Sequence, residues 1–189
     1  MLKSMKNGAE RMRDIVMSLQ NFSPMDEESM KPTDIHESID GVLGILHNII
    51  KKGIEVVKEY GKLSNVTCYP ALLSQVFMNT INYCLEALVA ATDAKSKPTI
   101  TIRTEMTDSE AIVRIAENGP GMSADVVDRI SFSCVFLYIC GRYQAEPGNE
   151  GWGCSLPGII EAKHGGKLSC TSTPGEGTEF VIYLPLGNS

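Results

Sequence analysis

The sequence predicts an α+β domain preceded by one amphipathic helix that stands apart from it, and three observations predict this. Residues 99–106 and 110–117 alternate apolar and polar side chains across a short polar turn, and 167–173 and 178–184 repeat the strand-turn-strand arrangement around Pro174-Gly175-Glu176-Gly177. Residues 37–52 and 70–91 space their apolar side chains by three and four, the period of a helix. Residues 2–19 carry a narrower stripe, Leu2, Met5, Ala9, Met12, Val16 and Leu19, a heptad seam of about two and a half repeats.

That seam is one half of a helix-helix contact. Lys6, Glu10, Arg11, Arg13 and Asp14 take the remaining faces, so the stripe needs a partner helix from another chain or from a further segment, unless it folds back on its own domain. A homodimer is the simplest arrangement. Asn21 to Lys31 is acidic and contains Pro24, the composition of a linker, which sets the division at residues 1–28 and 29–189. A short extended piece at 31–35 then leads to the helix 37–52, with Ile39, Val42, Leu43 and Leu46 on one stripe and Gly53 as its stop. Strands follow at 54–60 and 66–69. In the helix 70–91, Met78, Ile81, Leu85 and Leu88 form the core stripe, while Asn79, Tyr83 and Glu86 share an adjacent face that reads either as a ligand wall or as a solvated side.

The strand 110–117 runs through Ala111, Val113 and Ile115 and stops at Glu117-Asn118-Gly119-Pro120-Gly121-Met122, delivering a carboxyl group to a sheet edge just before the backbone turns away. On its own such a stretch is as good a turn as a pocket floor. A helix is expected from Ser123 to Ile130 with Ser123 as its cap. A second glycine turn, Gly151-Trp152-Gly153, precedes a helical stretch to His164, which Gly165-Gly166 closes.

Composition excludes several functions. A net charge of −6 without a basic block points away from nucleic acid as a partner. The six cysteines include no C-x-x-C pair and no metal-ligand spacing, and read as reduced core thiols. The longest apolar run, Val135 to Cys140, is too short to span a bilayer, and the amino terminus is charged where a signal peptide needs an apolar block, so a soluble, cytoplasmic chain is expected.

Five ordered stretches together resemble one family. They are Q-V-F-M-N (75–79), E-N-G-P-G-M (117–122), G-W-G-C-S-L (151–156), K-H-G-G-K-L-S (163–169) and S-T-P-G-E-G-T-E-F (172–180). In that order and spacing they are similar to the ATP-binding domain of sensor histidine kinases, members of the GHKL superfamily with gyrase, MutL and the heat-shock chaperone ATPases. R-M-R-D-I-V-M-S-L-Q-N-F-S (11–23) resembles the second helix of the kinases' dimerisation hairpin.

The resemblance implies the Bergerat fold, a two-layer α/β sandwich with helices on one face of a mixed sheet, and a site for ATP and Mg2+ between the Asn79 helix and a lid. By resemblance Glu117 accepts from the adenine amino group, Gly119 and Gly121 let the chain pass close to the base, Gly151 and Gly153 face the triphosphate, Thr178 bonds near Glu117, and Asn79 and Glu86 line the helix side. Asn79 is also the remaining candidate ligand for magnesium. Partners implied are ATP, a response-regulator receiver and a histidine-bearing segment.

The chain departs from the pattern in three places. Tyr83 stands where the family has a second Asn that ligates magnesium; a phenol on a bulky ring is a poor ligand, and Asn82 is rotated by about 100° from that position. The lid segment Ser131 to Arg142 lacks the family's aspartate-proline-phenylalanine-phenylalanine stretch, and Asn149-Glu150 replaces a Gly-Thr. No phosphoacceptor is evident, since His36 opens a helix, His47 lies on a helix flank, and His164 is expected to cap a helix end. The expected function is the ATP-binding domain of a two-component histidine kinase, degenerate in its metal site and lid; the alternative is a non-catalytic partner-binding module that keeps the fold.

Overall fold

Asp34 starts the first helix: its Oδ1 accepts from the backbone N–H groups of His36 at 2.8 Å and Glu37 at 3.3 Å. In the computed structural model, which describes residues 29–51, 53–91, 96–124, 127 and 158–186, this helix (α1, Ile35–Ile50) begins two residues before the expected start. The side-chain cap, set by Asp34 and not by the apolar stripe, fixes the boundary. Ile35, Ile39, Val42, Leu43 and Leu46 form its buried stripe.

The second helix (α2, Pro70–Ala90) has Pro70 in its first turn, where a missing N–H costs nothing. Its cap residue, Tyr69, has no side-chain cap bond; the Tyr69 N–H instead donates to His164 Nε2 at 3.1 Å. Leu73, Val76, Phe77, Met78, Ile81, Cys84, Leu85 and Leu88 are buried, a wider band than one stripe, because α2 packs on α1 and on the sheet together. Thr80, also buried, satisfies its hydroxyl on the Val76 carbonyl at 2.8 Å.

Five strands form the main sheet: β2 (Glu55–Tyr60), β4 (Thr99–Met106), β5 (Glu110–Glu117), β6 (Lys167–Thr173) and β7 (Gly177–Pro185), in the order β2-β4-β5-β7-β6. Only β2 and β4 run parallel; the other pairs are antiparallel, so the sheet is mixed. Two short strands, β1 (Lys31–Thr33) and β3 (Val66–Cys68), pair separately. Alternation turns Ile100, Ile102, Val113, Ile115, Phe180 and Ile182 toward the helices, and all are buried. The opposite face carries ion pairs such as Arg103 with Glu59 and Arg114 with Glu105. This is the expected two-layer α+β sandwich with helices on one face.

The register carries one row across the site end of the sheet: Ile100 opposite Glu117, Glu117 opposite Thr178, and Thr178 opposite Ser172. The stretch ahead of His164 is a five-residue π-helical turn, Ile159–Lys163, closed by Gly165 at φ 64° as the Gly-Gly pair predicts. Of the expected helix 123–130, the bond from Val127 N–H to the Ser123 carbonyl at 3.1 Å falls among the described residues. The helix 2–19, the lid segment 131–142, Asn149-Glu150, Gly151 and Gly153 lie outside them, as do Cys134, Cys140 and Cys154. Cys68, Cys84 and Cys170 are free thiols, as expected.

Candidate functional site

Strand β5 points every second residue at the helices, so the series Ala111, Val113, Ile115 places Glu117 inward at the strand's end. A carboxyl group thus lies in a position otherwise given to core side chains, and Glu117 is only 5% exposed. Its Oε2 accepts from the Gly119 N–H. Its Oε1 is buried and has no hydrogen-bond partner among the described residues.

The loop after Glu117 is held at three points. Asn118 clamps it to β4, accepting from the Thr99 N–H at 2.8 Å and donating to the Lys97 carbonyl at 2.9 Å. The Gly175 N–H donates to the Pro120 carbonyl at 2.7 Å, joining the loop to the β6–β7 turn. The Met122 N–H donates to Ser172 Oγ at 2.7 Å. Glycine is required where these backbones meet: Gly121 (φ 63°) and Gly177 (φ 112°) are left-handed, and a Cβ would strike the Thr173 carbonyl at one and the Glu117 carbonyl at the other. At Gly119 a Cβ would meet Glu117 Oε2 and approach Leu88.

Beside Glu117 on β7, Thr178 is buried, and its hydroxyl lies 3.0 Å from Ser172 Oγ. Ser172 Oγ donates to the Gly177 carbonyl at 2.9 Å while receiving Met122 N–H, so this one hydroxyl ties β6, β7 and the glycine loop together. The motif search passed over Ser172 as a site residue. The signal available was its inward position in the series Leu168, Cys170, Ser172, a polar residue where core is expected.

Helix α2 supplies the opposite wall. Asn79 is half-buried, and its amide Nδ2 is buried without a partner among the described residues. One turn on, Tyr83 packs edge-on against Phe180, centroids 5.4 Å apart, and its hydroxyl donates to Met122 Sδ at 2.7 Å. Burial, and then the charge of Glu117, push the Tyr83 phenol up to about 12. The same two causes push the Cys170 thiol up to about 12 and the buried Cys84 thiol well above its ordinary range, so the Glu117 charge reaches all three groups. Glu86 is exposed and accepts from Asn82 Nδ2 at 2.9 Å, so the structure leaves it on the outer side of α2.

The structure therefore brings Glu117, Gly119, Gly121 and Thr178 to one end of the sandwich, with Asn79 one turn before Tyr83 on α2. The buried Glu117 carboxyl oxygen without a partner among the described residues could accept from a donor such as an amino group. Toward a magnesium ion, Asn79 presents a donating nitrogen and the Tyr83 hydroxyl is turned to sulfur, so neither is a free oxygen ligand, while Asn82 Oδ1 is a buried amide oxygen of α2 without a partner among the described residues.

The histidines are placed elsewhere. His36 stacks on Tyr60, centroids 4.3 Å apart, with Nε2 2.8 Å from Thr104 Oγ1, four residues up β4 from the Glu117 row and about 13 Å away at the usual rise per residue. His47 is exposed on α1. His164 stands at the C-cap of the π-turn, as expected, and is buried, 7% exposed. Because Nε2 accepts from the Tyr69 N–H, the ring is neutral and Nδ1 donates to the Ile159 carbonyl at 2.8 Å, joining the π-turn to the start of α2.

Comparison with known proteins agrees with this geometry. Residues 68–188 match the family model described as histidine kinase-, DNA gyrase B-, and HSP90-like ATPase. The sensory histidine kinase/phosphatase NtrB of Salmonella typhimurium is 25% identical over 184 residues, covering 94% of this chain and 50% of that protein. The chain thus spans about half the length of the curated relatives it matches first. The catalytic domain of histidine kinase ThkA superposes with a TM-score of 0.63 at 20% identity, covering 83% of this chain and 97% of that one. ThkA in complex with the response regulator TrrA gives 0.65 at 20% identity, covering 96% of this chain and 49% of that one. Among the described residues no helix is long and apolar enough to cross a membrane.

Proposed function

Because the chain belongs to the histidine kinase-, DNA gyrase B-, and HSP90-like ATPase family, we propose that the Glu117 end of its sandwich binds ATP as the nucleotide-binding domain of a two-component sensor histidine kinase. The observation that carries this reading is the buried, unpartnered Glu117 Oε1 at the entrance of the glycine loop. The exocyclic amino group of adenine is the donor that it lacks. Thr178 and Ser172 order the floor beneath the base, and Gly119 and Gly121 admit it. When bound, ATP supplies the γ-phosphoryl group; the residues of this chain hold and orient it.

The wider role follows from the same reading. The seam at 2–19 pairs two copies in a cytoplasmic homodimer, and the phosphoryl acceptor is a histidine-bearing segment, with a response-regulator receiver as the next partner. ThkA, a structural neighbour, is found with a response regulator. The magnesium site is weakened by Tyr83. That substitution favours a second reading, in which the domain retains the nucleotide pocket or only its fold and works through partner contact without phosphoryl transfer.

Titration calorimetry of the full chain with ATP and GTP tests the proposal. ATP should bind at least about tenfold more tightly than GTP, because guanine presents a carbonyl oxygen to Glu117 where adenine presents an amino group, a difference of about 1.4 kcal/mol or more. Equal affinities, or no binding of either, would overturn it.

A further inference from the structure

Among the described residues three buried side-chain atoms lack a partner: Asn79 Nδ2 and Asn82 Oδ1 on α2, and Glu117 Oε1 on β5. The side chain one turn along α2 from Asn79, and near enough to Glu117 to feel its charge, is Tyr83. Its ring meets Phe180, which pairs with Ile115 one inward position from the Glu117–Thr178 pair. Its hydroxyl ends on the sulfur of Met122, the residue that closes the glycine loop and is tied through Ser172 to Thr178. The phenol therefore lies between Phe180, beside the Glu117–Thr178 row, and Met122 at the end of the loop.

We infer that Tyr83 is the gate of the base pocket: its ring fills the space that a purine enters, and a nucleotide binds only by displacing it. This rests on the reading of the site as an adenine-nucleotide pocket and adds what limits its affinity. The residue is suited to the part. Its hydroxyl donates to a thioether, a weak acceptor, and lies beside the Thr178 hydroxyl, which a base on the same floor would meet in its place. It is half-buried, so one side already faces outward. A purine in its place offers another aromatic surface to Phe180 and Met122 while supplying the donor that Glu117 Oε1 lacks. If the displaced state is populated at about one part in ten to one in a hundred, observed affinity falls by the same factor.

A structural core tyrosine makes a different prediction: shortening it lowers stability and does nothing for affinity. Adenosine separates the two, since it presents base and ribose without phosphates and leaves metal and lid out of the measurement. Titrations of the full chain, without metal, compare wild type with Tyr83→Ala, Tyr83→Leu and Tyr83→Phe, each checked for folding by circular dichroism. The gate predicts that Tyr83→Ala binds adenosine at least about tenfold more tightly than wild type, Tyr83→Leu gains by a smaller factor, and Tyr83→Phe, which keeps the ring but loses its anchor, gains least. Should the alanine variant not fold, the leucine variant carries the test. Equal adenosine affinity in wild type and the shortened variants, or a gain in Tyr83→Phe as large as in Tyr83→Leu, overturns the gate while leaving the nucleotide site standing. No binding of adenosine or ATP by any folded variant overturns the nucleotide reading, and the gate with it.

Discussion

The two ends of the same sandwich treat polar side chains in opposite ways. At the α1 end, His36 Nε2 lies 2.8 Å from Thr104 Oγ1, which also accepts from the Gly61 N–H at 3.0 Å. There too Asp40 takes both the Tyr60 hydroxyl and the Lys58 ammonium at 2.7 Å. By contrast, the buried side-chain polar atoms without a partner among the described residues belong to Glu117 at the end of β5 and to Asn79 and Asn82 on α2. A polar group buried with its partners is architecture, and one buried without them costs about 1–3 kcal/mol that folding alone does not explain. The contrast separates a histidine-containing cluster whose polar groups are partnered from a buried carboxyl group that, on the proposed reading, is held for a ligand.

The largest effect expected at the Glu117 end is steric. Gly177→Val forces a branched side chain into left-handed backbone and against the Glu117 carbonyl, and should cost more than about 3 kcal/mol in urea denaturation and abolish ATP binding. Gly175 in the same turn is also left-handed, at φ 82°, but a Cβ there meets nothing within 4 Å. Gly175→Asn should cost less than about 1 kcal/mol, since Asn tolerates this conformation best among residues with a side chain. Similar losses at the two positions would mean that the loop-to-turn contact does not build the site.

Next in size is a pair of substitutions that pulls the two ends apart. Glu117→Leu should weaken ATP binding about 10–100-fold in calorimetry while changing stability by less than about 1 kcal/mol, because the unsatisfied acceptor and charge that leave offset the Gly119 N–H that loses its partner. Thr104→Val should do the reverse, costing about 1 kcal/mol of stability by removing the partner of His36 Nε2 while the Gly61 N–H keeps its bond to the Thr104 carbonyl, with ATP affinity unchanged. A large stability loss in the first, or an affinity loss in the second, would erase the distinction. Smaller again is the metal effect. Magnesium should change the ATP affinity of the wild-type chain less than about threefold and that of Tyr83→Asn about tenfold, the latter through a restored amide ligand. Strong magnesium enhancement in the wild type would contradict the reading of Tyr83.

What was legible in the sequence was local. Strands 99–106 and 110–117 alternate so regularly that their bounds, and the inward orientation of Glu117, follow from the pattern alone, and the Gly-Gly pair at 165–166 marks a helix end wherever it occurs. What was not legible depended on distant partners. The role of His164 depends on Tyr69, 95 residues earlier. The parallel pairing of β2 with β4 depends on how the chain crosses α2. The start of α1 was misread because Asp34, which caps it, lies outside the apolar stripe. Five motifs located the floor of the site, but the interior direction of the Tyr83 hydroxyl is a tertiary fact, set by Met122 39 residues away, and no spacing rule carries it.

The smallest effect is on alkaline stability, and it bears on how closely Tyr83 is coupled to Glu117. Burial and the Glu117 charge raise the phenol from 10.0 to about 12 in the folded chain. The unfolded chain therefore releases this proton first as pH rises, so the stabilisation is fully present below about pH 10 and is lost progressively toward pH 12. Cys170, raised from 9.0 to about 12 by burial and the same charge, adds a loss that starts one unit lower. Urea denaturation from pH 8 to pH 11 should show stability falling above about pH 9, and Tyr83→Phe should flatten the fall above about pH 10 while leaving its onset in place. Because Tyr83 is only half-buried, solvent screens part of the interaction and the change in slope is modest. Glu117→Gln should flatten both segments, since the charge acts on both groups. A profile in which Tyr83→Phe follows the wild type throughout would place the phenol out of reach of Glu117, and with that the gate would lose the neighbour it is proposed to guard.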